Sequence, residues 1–95
     1  MSKMGEYIAN VVCALAGRDK GKHFVVTAQE ANFVYLCDGK SRKVGSPKKK
    51  KIKHVDFTGV RNEFLYGKLS TGGKITNKEV RYALADFRDG LSDSE

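Results

Sequence analysis

Cysteine, histidine and long apolar runs are all scarce in this chain, and each scarcity removes a class of function. Two cysteines, Cys13 and Cys37, and two histidines, His23 and His54, stand far apart. Without a Cys-x-x-Cys pair or a second cysteine pair, neither a zinc site nor a redox motif is supported. Both cysteines lie in apolar runs, where a free thiol behaves as a small buried hydrophobe in a reducing cytosol. No stretch approaches the roughly 18 apolar residues that a membrane span requires. Residues 8–16, behind Lys3 and ending in Ala14-Leu15-Ala16, have the look of a signal peptide. Glu6 and Asn10 interrupt that pattern, and cleavage after Ala16 would remove what reads as the first strand.

Catalytic pairings are missing as well. No two residues have the type and spacing that nucleophilic, acid–base or metal chemistry requires. The glycine-flanked segment 17–22 lacks the Gly-x-x-x-x-Gly-Lys-Ser/Thr spacing of a P-loop, and it precedes a strand where a P-loop precedes a helix. The expectation is a cytoplasmic, non-enzymatic protein with no cofactor, no metal, no membrane and no small-molecule substrate.

Positive charge is what the chain does have, and it is concentrated. The net charge is +7. Residues 1–37 carry four Lys/Arg against three Asp/Glu, residues 38–54 eight against one, and residues 56–95 six against seven. The whole excess therefore sits in the middle segment, which points to a polyanion or an acidic surface as partner.

At 95 residues the chain fits one domain with one core. Residues 7–16 (YIANVVCALA), 23–29 (HFVVTAQ) and 33–37 (FVYLC) read as strands. Asp38-Gly39 signals a two-residue type I′ hairpin leading into a charged fourth strand at 40–44. Gly45-Ser46-Pro47 breaks the ladder, and the chain returns to strand around 52–55. Phe33 and Tyr35, beside Val34 and Leu36, are read as core in preference to a stacking face. A short helix is favoured over 60–69. Thr76 and Glu79 form a capping box opening a helix that ends at Gly90. Its stripe Val80, Ala83, Leu84 and Phe87 is packing surface. Asp86 and Asp89 are candidates to fold back on the basic surface.

The segment around residues 17–22 resembles a KOW motif, the strand–loop–strand element of small SH3-like barrels in ribosomal proteins and transcription elongation factors. The matching residues are Val11-Val12, then Gly17-Arg18-Asp19-Lys20-Gly21-Lys22, then Phe24-Val25-Val26. His23 and Phe24 stand where such loops commonly carry a further glycine. Residues 38–55 strengthen the likeness: the Asp38-Gly39 step, Arg42-Lys43-Val44 and Lys51-Ile52-Lys53-His54-Val55 are similar to KOW-type proteins of large ribosomal subunits and their small bacterial relatives. The resemblance implies a five-stranded SH3-like barrel over residues 1–58, a packed extension of one or two helices over 59–90, and a disordered tail at 91–95. It also implies that Gly17 and Gly21 shape the loop while Arg18, Lys20 and Lys22 meet RNA phosphates.

Lys40, Arg42, Lys43, Lys48, Lys49, Lys50, Lys51, Lys53 and His54 extend that basic surface. Their mutual repulsion is relieved when condensed counterions leave RNA. Lysine outnumbers arginine among them, which favours recognition of folded RNA by shape over a base code. The expected partner is RNA, ribosomal RNA above all, with ribosomal proteins as neighbours. The alternative is a protein-interaction adaptor that grips its partner with the barrel or the helix stripe while the lysines steer the encounter. Residues 47–53 also look like a nuclear localisation signal. Such signals need exposed extended chain, however, and this one enters a strand.

Overall fold

The computed structural model describes residues 6–92. Five strands, β1 (Asn10–Ala14), β2 (His23–Glu30), β3 (Phe33–Cys37), β4 (Lys48–Lys51) and β5 (Val55–Arg61), precede two helices, α1 (Glu63–Ser70) and α2 (Asn77–Ser92). The strands form one antiparallel sheet in the order β4-β3-β2-β1-β5. The architecture is thus mainly β with helices at the C-terminal end, as the sequence implies. β1 to β4 follow one another across the sheet, and β5 returns to pair with β1. A single 3-10 turn, Ile52–His54, joins the two edge strands. It is stitched down by Ile52 N–H donating to Asn32 O (2.8 Å) and Leu15 N–H donating to His54 O (2.9 Å).

Three expectations about the middle of the chain are corrected. Residues 40–44 do not form a strand, and Asp38-Gly39 is not a two-residue hairpin. The Asp38 carboxylate accepts the backbone N–H groups of Lys40 (2.8 Å) and Arg42 (2.9 Å) and the Ser41 hydroxyl (3.1 Å), which coils the chain locally. Gly39 supplies the positive φ, +78°, while Asp38 stays out of the left-handed region that a type I′ turn demands of both residues. The fourth strand is instead the lysine run itself, which begins four residues before the expected 52–55.

Other boundaries move as well. β5 extends to Arg61, past residue 58. Its periodicity is broken by a bulge opposite β1, where Gly59 takes φ +85° and Thr58 Oγ1 donates to Val11 O (2.8 Å). The first helix accordingly starts at Glu63, not Val60, capped by Asn62, whose side chain accepts from Leu65 N–H (2.9 Å). Gly90 does not adopt the left-handed conformation that ends a helix, and α2 runs on to Ser92. The rest of the expected disordered tail, residues 93–95, lies outside the described residues.

The core draws on every layer. Val11 and Val12 of β1, and Phe24, Val25 and Val26 of β2, are buried in succession, so the two central strands are covered on both faces. α2 packs against β2, with the Phe87 ring 5.2 Å from that of His23. Val80, Ala83 and Leu84 are buried as the helical stripe predicts. The capping box forms in both directions: Thr76 N–H donates to Glu79 Oε1 (3.0 Å) and Glu79 N–H to Thr76 Oγ1 (3.1 Å). Glu79 also pairs with Lys68 at 2.8 Å, tying α2 to α1. Both cysteines are free, and burial, reinforced by the neighbouring Asp38 charge, pushes the Cys37 thiol up to about 12. It is therefore a packed thiol and not a nucleophile.

The loop from 38 to 44 meets α2 at one tight point. A Cβ on Gly39 would stand 2.4 Å from Asn77 O and 2.8 Å from Arg81 Cγ. Arg81 Nη1 donates to Gly39 O (2.9 Å), and Asn77 Oδ1 accepts from Val44 N–H (2.8 Å). Gly39→Ala should therefore lower stability by more than the roughly 1–3 kcal/mol of an unfavourable φ alone. Urea unfolding of the two proteins measures it, and the same substitution at Gly45, where a Cβ meets open space, should cost little.

Candidate nucleic-acid interface

Strand geometry divides the lysine run between two faces. β4 pairs with β3 in the register Phe33↔Lys51, Val34↔Lys50, Tyr35↔Lys49 and Leu36↔Lys48. Val34 and Leu36 are buried, so Lys48 and Lys50 share the core side of the edge, and Lys49 and Lys51 share the outer face with Phe33 and Tyr35. These two aromatics are therefore not core, which corrects the sequence expectation. Both parities of that strand are apolar, and only the register decides between them. Lys49 Nζ lies 4.4 Å from the Phe33 ring centre, a cation–π contact, and 6.0 Å from that of Tyr35. Tyr35 Oη donates to Glu30 Oε1 (2.7 Å), and that bond, with burial and the carboxylate's charge, holds the phenol above its ordinary pKa. Lys53, Lys51, Ile52, Asn32 and Phe33 line a shallow depression at the end of this face.

The glycine loop has the conformation its sequence implies. Gly17 and Gly21 take φ +81° and +87°. The loop closes on itself through Lys20 N–H to Gly17 O (3.2 Å) and Gly21 N–H to Ala14 O (2.9 Å). Arg18, Lys20 and Lys22 are exposed on it. Asp19 is turned inward and buried, where it pairs with Arg42 Nη2 at 3.1 Å. Lys50 Nζ reaches back to donate to Ala16 O (2.9 Å) and sits where a side chain on Gly17 would touch it, at 3.4 Å.

The structure thus brings the lysine strand to the glycine loop, with Arg42 and Lys50 as the ties. Those two are spent on the protein's own groups. His54 is half-buried, its carbonyl holding Leu15, and Lys43 Nζ donates to Lys40 O (3.1 Å). Lys48 is half-buried on the inner side of the edge. Arg18, Lys20, Lys22, Lys40, Lys49, Lys51 and Lys53 remain exposed. Among the described residues, Arg42 is the one predicted site cation that is ion-paired with a carboxylate.

Lys22 and Lys40 meet away from the β4 face, at a groove of about 410 Å³ that α2 closes with Arg81 and Arg88. Neither arginine stands out in the sequence; the one signal there is their spacing of seven on a helix, which places them on one flank. Asp86 lies on the other flank, beside Asn62, Phe64 and Glu79, so it does not fold back on the basic surface. Of the apolar stripe of α2, Val80, Ala83 and Leu84 are buried in the core, and Phe87 is partly buried against it. Phe64 and Tyr82 are exposed but overlaid by the amines of Lys68 (5.5 Å) and Lys78 (5.6 Å). No described helix is long and apolar enough to cross a membrane, and the described residues contain no group of three or more His, Cys, Asp or Glu that could hold a metal.

Compared with known proteins, the chain matches no family model and no curated relative.

The division of the cations into ties and outward groups has a measurable consequence. Arg42→Gln strips a buried carboxylate of its cation. The guanidinium is about one-third exposed, 34%, so the loss should be about 1–3 kcal/mol, below that of a fully buried pair. Lys49→Gln and Lys51→Gln should stay within about 0.5 kcal/mol of wild type in the same urea titration.

Proposed function

We propose that this protein is a small cytoplasmic RNA-binding module of the KOW kind, with a closed SH3-like barrel and no catalytic activity, that binds structured RNA, ribosomal RNA above all. The strand order, with β5 returning to β1 and one 3-10 turn between the edge strands, supports a barrel, since closure requires β4 and β5 to be neighbours across that turn. One observation carries the functional reading. A strand of four lysines is folded against the sheet beside a glycine-shaped basic loop, and among the described residues no carboxylate forms an ion pair with its outward amines.

Physically, exposed amines on a fixed strand keep the charge of a flexible tail without its ordering cost on binding. The Phe33 ring, half-buried under Lys49, adds a surface on which an unpaired base stacks, with Lys51 and Lys53 placed for the flanking phosphates. The lysine content favours affinity for the backbone over a base code. The adaptor alternative is left with the barrel as its main gripping surface, since Val80, Ala83 and Leu84 of the helix stripe are buried in the core.

With about four to six phosphates neutralised, log K for a structured RNA should fall with log salt at a slope of about −3 to −5. Filter binding of a ribosomal RNA fragment across a salt series measures this. Lys49→Gln with Lys51→Gln should make the slope shallower by about 1.4 to 1.8. A flat salt series would exclude nucleic acid as the partner.

A further inference from the structure

We propose that the tip of the β2–β3 hairpin reads one unpaired base of the bound RNA, with Phe33 as the stacking ring and the Glu30 carboxylate selecting guanine. This inference rests on the RNA-binding reading and adds to it a single base-selective position on a surface that otherwise follows phosphates.

Three features of the outer face lead there. The first is placement. Glu30 stands directly across from Phe33 in the β2–β3 pairing, and Lys51 stands across from it on the β4 side. Side chains so paired have Cβ atoms about 4.5–5.5 Å apart, less than the width of a base. One ring therefore has a carboxylate on one flank and an ammonium on the other. Ala31 makes this pairing possible by taking φ +52°, a left-handed turn that alanine rarely adopts. Beyond Phe33, a depression of about 420 Å³ opens toward Asn32, Ile52 and Lys53. That volume lies within the roughly 300–1,000 Å³ of small-ligand sites and has room for a planar ring. Ile52 N–H donates to Asn32 O (2.8 Å), which holds the 3-10 turn to the hairpin tip and keeps the two walls in place.

The second is a carboxylate left without a cation on a cationic face. Among the described residues Glu30 makes no ion pair, although Lys49 and Lys51 stand on the same face. Its Oε1 accepts from Tyr35 Oη at 2.7 Å. That bond, then burial and the carboxylate's charge, raise the pKa of the phenol, so at neutral pH Tyr35 stays a donor and fixes the carboxylate in place. A carboxylate has about four lone-pair sites, and one phenol fills one of them. Beside a phosphate such a group repels, and it is favourable only where RNA offers donors. The Watson–Crick edge of guanine offers two adjacent ones, N1–H and the N2 amino group, which one carboxylate accepts together. Adenine and cytosine each offer one amino group beside an acceptor nitrogen. Uracil offers a single N–H between two carbonyl oxygens, and those oxygens repel the carboxylate. Unpaired bases expose this edge, and paired bases do not.

The third is the set of cations round the ring. Lys49 Nζ lies 4.4 Å from the Phe33 centre, and its side chain is exposed. A lysine on a flexible four-carbon stem can move its amine onto a phosphate and leave the ring to a base. Lys51 and Lys53 border the depression and are placed for the phosphates on either side of a stacked nucleotide. Charge complementarity thus commits the depression to a nucleotide and not to an apolar side chain of a protein.

The test is equilibrium binding of stem–loop RNAs that share one stem and a loop of uridines in which a single position is G, A, C or U. Wild type should bind the G loop about tenfold more tightly than the all-U loop, the value of one good bidentate base contact, with A and C between them. Glu30→Gln should bring the G and U loops to within about threefold of each other. Its binding of the all-U loop should hold or tighten, because a charge that repels phosphate is gone. Phe33→Leu should weaken binding of every loop by about tenfold through the lost stack. It should leave the slope of log K against log salt unchanged, since no cation is removed. Circular dichroism checks the fold of each variant, and Glu30→Gln, at an exposed position, decides the matter if Phe33→Leu unfolds. Equal affinity of wild type for all four loops, with a steep salt slope, overturns the base pocket and leaves the backbone interface standing. A guanine preference that survives Glu30→Gln overturns its assignment to this carboxylate. Guanosine monophosphate bound as tightly as the G loop makes this a free-nucleotide site and overturns the assignment to RNA. A flat salt slope for every loop removes both readings together.

Discussion

The arrangement depends on how the protein accommodates a run of like charges without hiding them. Four consecutive lysines form an edge strand because alternation sends them to two faces, so neighbours on one face stand about 7 Å apart. In water that repulsion costs only about half a kcal/mol per pair. Pairing with β3 and the Lys50 bond to the Ala16 carbonyl are enough to offset it. The edge position keeps the amines in water, and lysines there also oppose pairing with a second sheet. Folding of this strand thus needs no polyanion, while a polyanion would be attracted to what folding leaves outside.

The cations divide by task. Arg42 and Lys50 bond to the glycine loop through Asp19 and Ala16 and fix where it stands. Lys49, Lys51 and Lys53 point outward beside Phe33, and Lys22 and Lys40 look toward α2. Losing a tie should change stability, whereas losing an outward amine should change only binding. A sequence-level count of positive charge cannot make that distinction, because it depends on which carboxylates and carbonyls the fold brings near.

Much of this was legible in the residues. The strands at 23–30 and 33–37, the glycine loop, the capping box at Thr76 and the buried stripe of α2 follow from local patterns, and local chemistry decides them. The failures share a cause. Asp38 spends its carboxylate on the backbone ahead of it, turning an apparent hairpin into a coil, and the bulge at Gly59 hides the periodicity of β5. Phe33 and Tyr35 belong to a strand whose two parities are equally apolar, so only the pairing with β4 shows which one faces water. Arg81 and Arg88 become neighbours of Lys22 and Lys40 only through the docking of α2 at Gly39, a contact between residues distant in the chain.

The central claim is that the folded lysine strand and its neighbouring loop present amines to RNA. It is tested most directly by acylating lysines in the free and RNA-bound protein and reading each site by mass spectrometry. The account predicts strong protection of Lys20, Lys22, Lys40, Lys49, Lys51 and Lys53 on binding, with Lys74 labelled equally in both states. Uniform protection of every lysine, or protection at Lys74 with none on the strand, would contradict it.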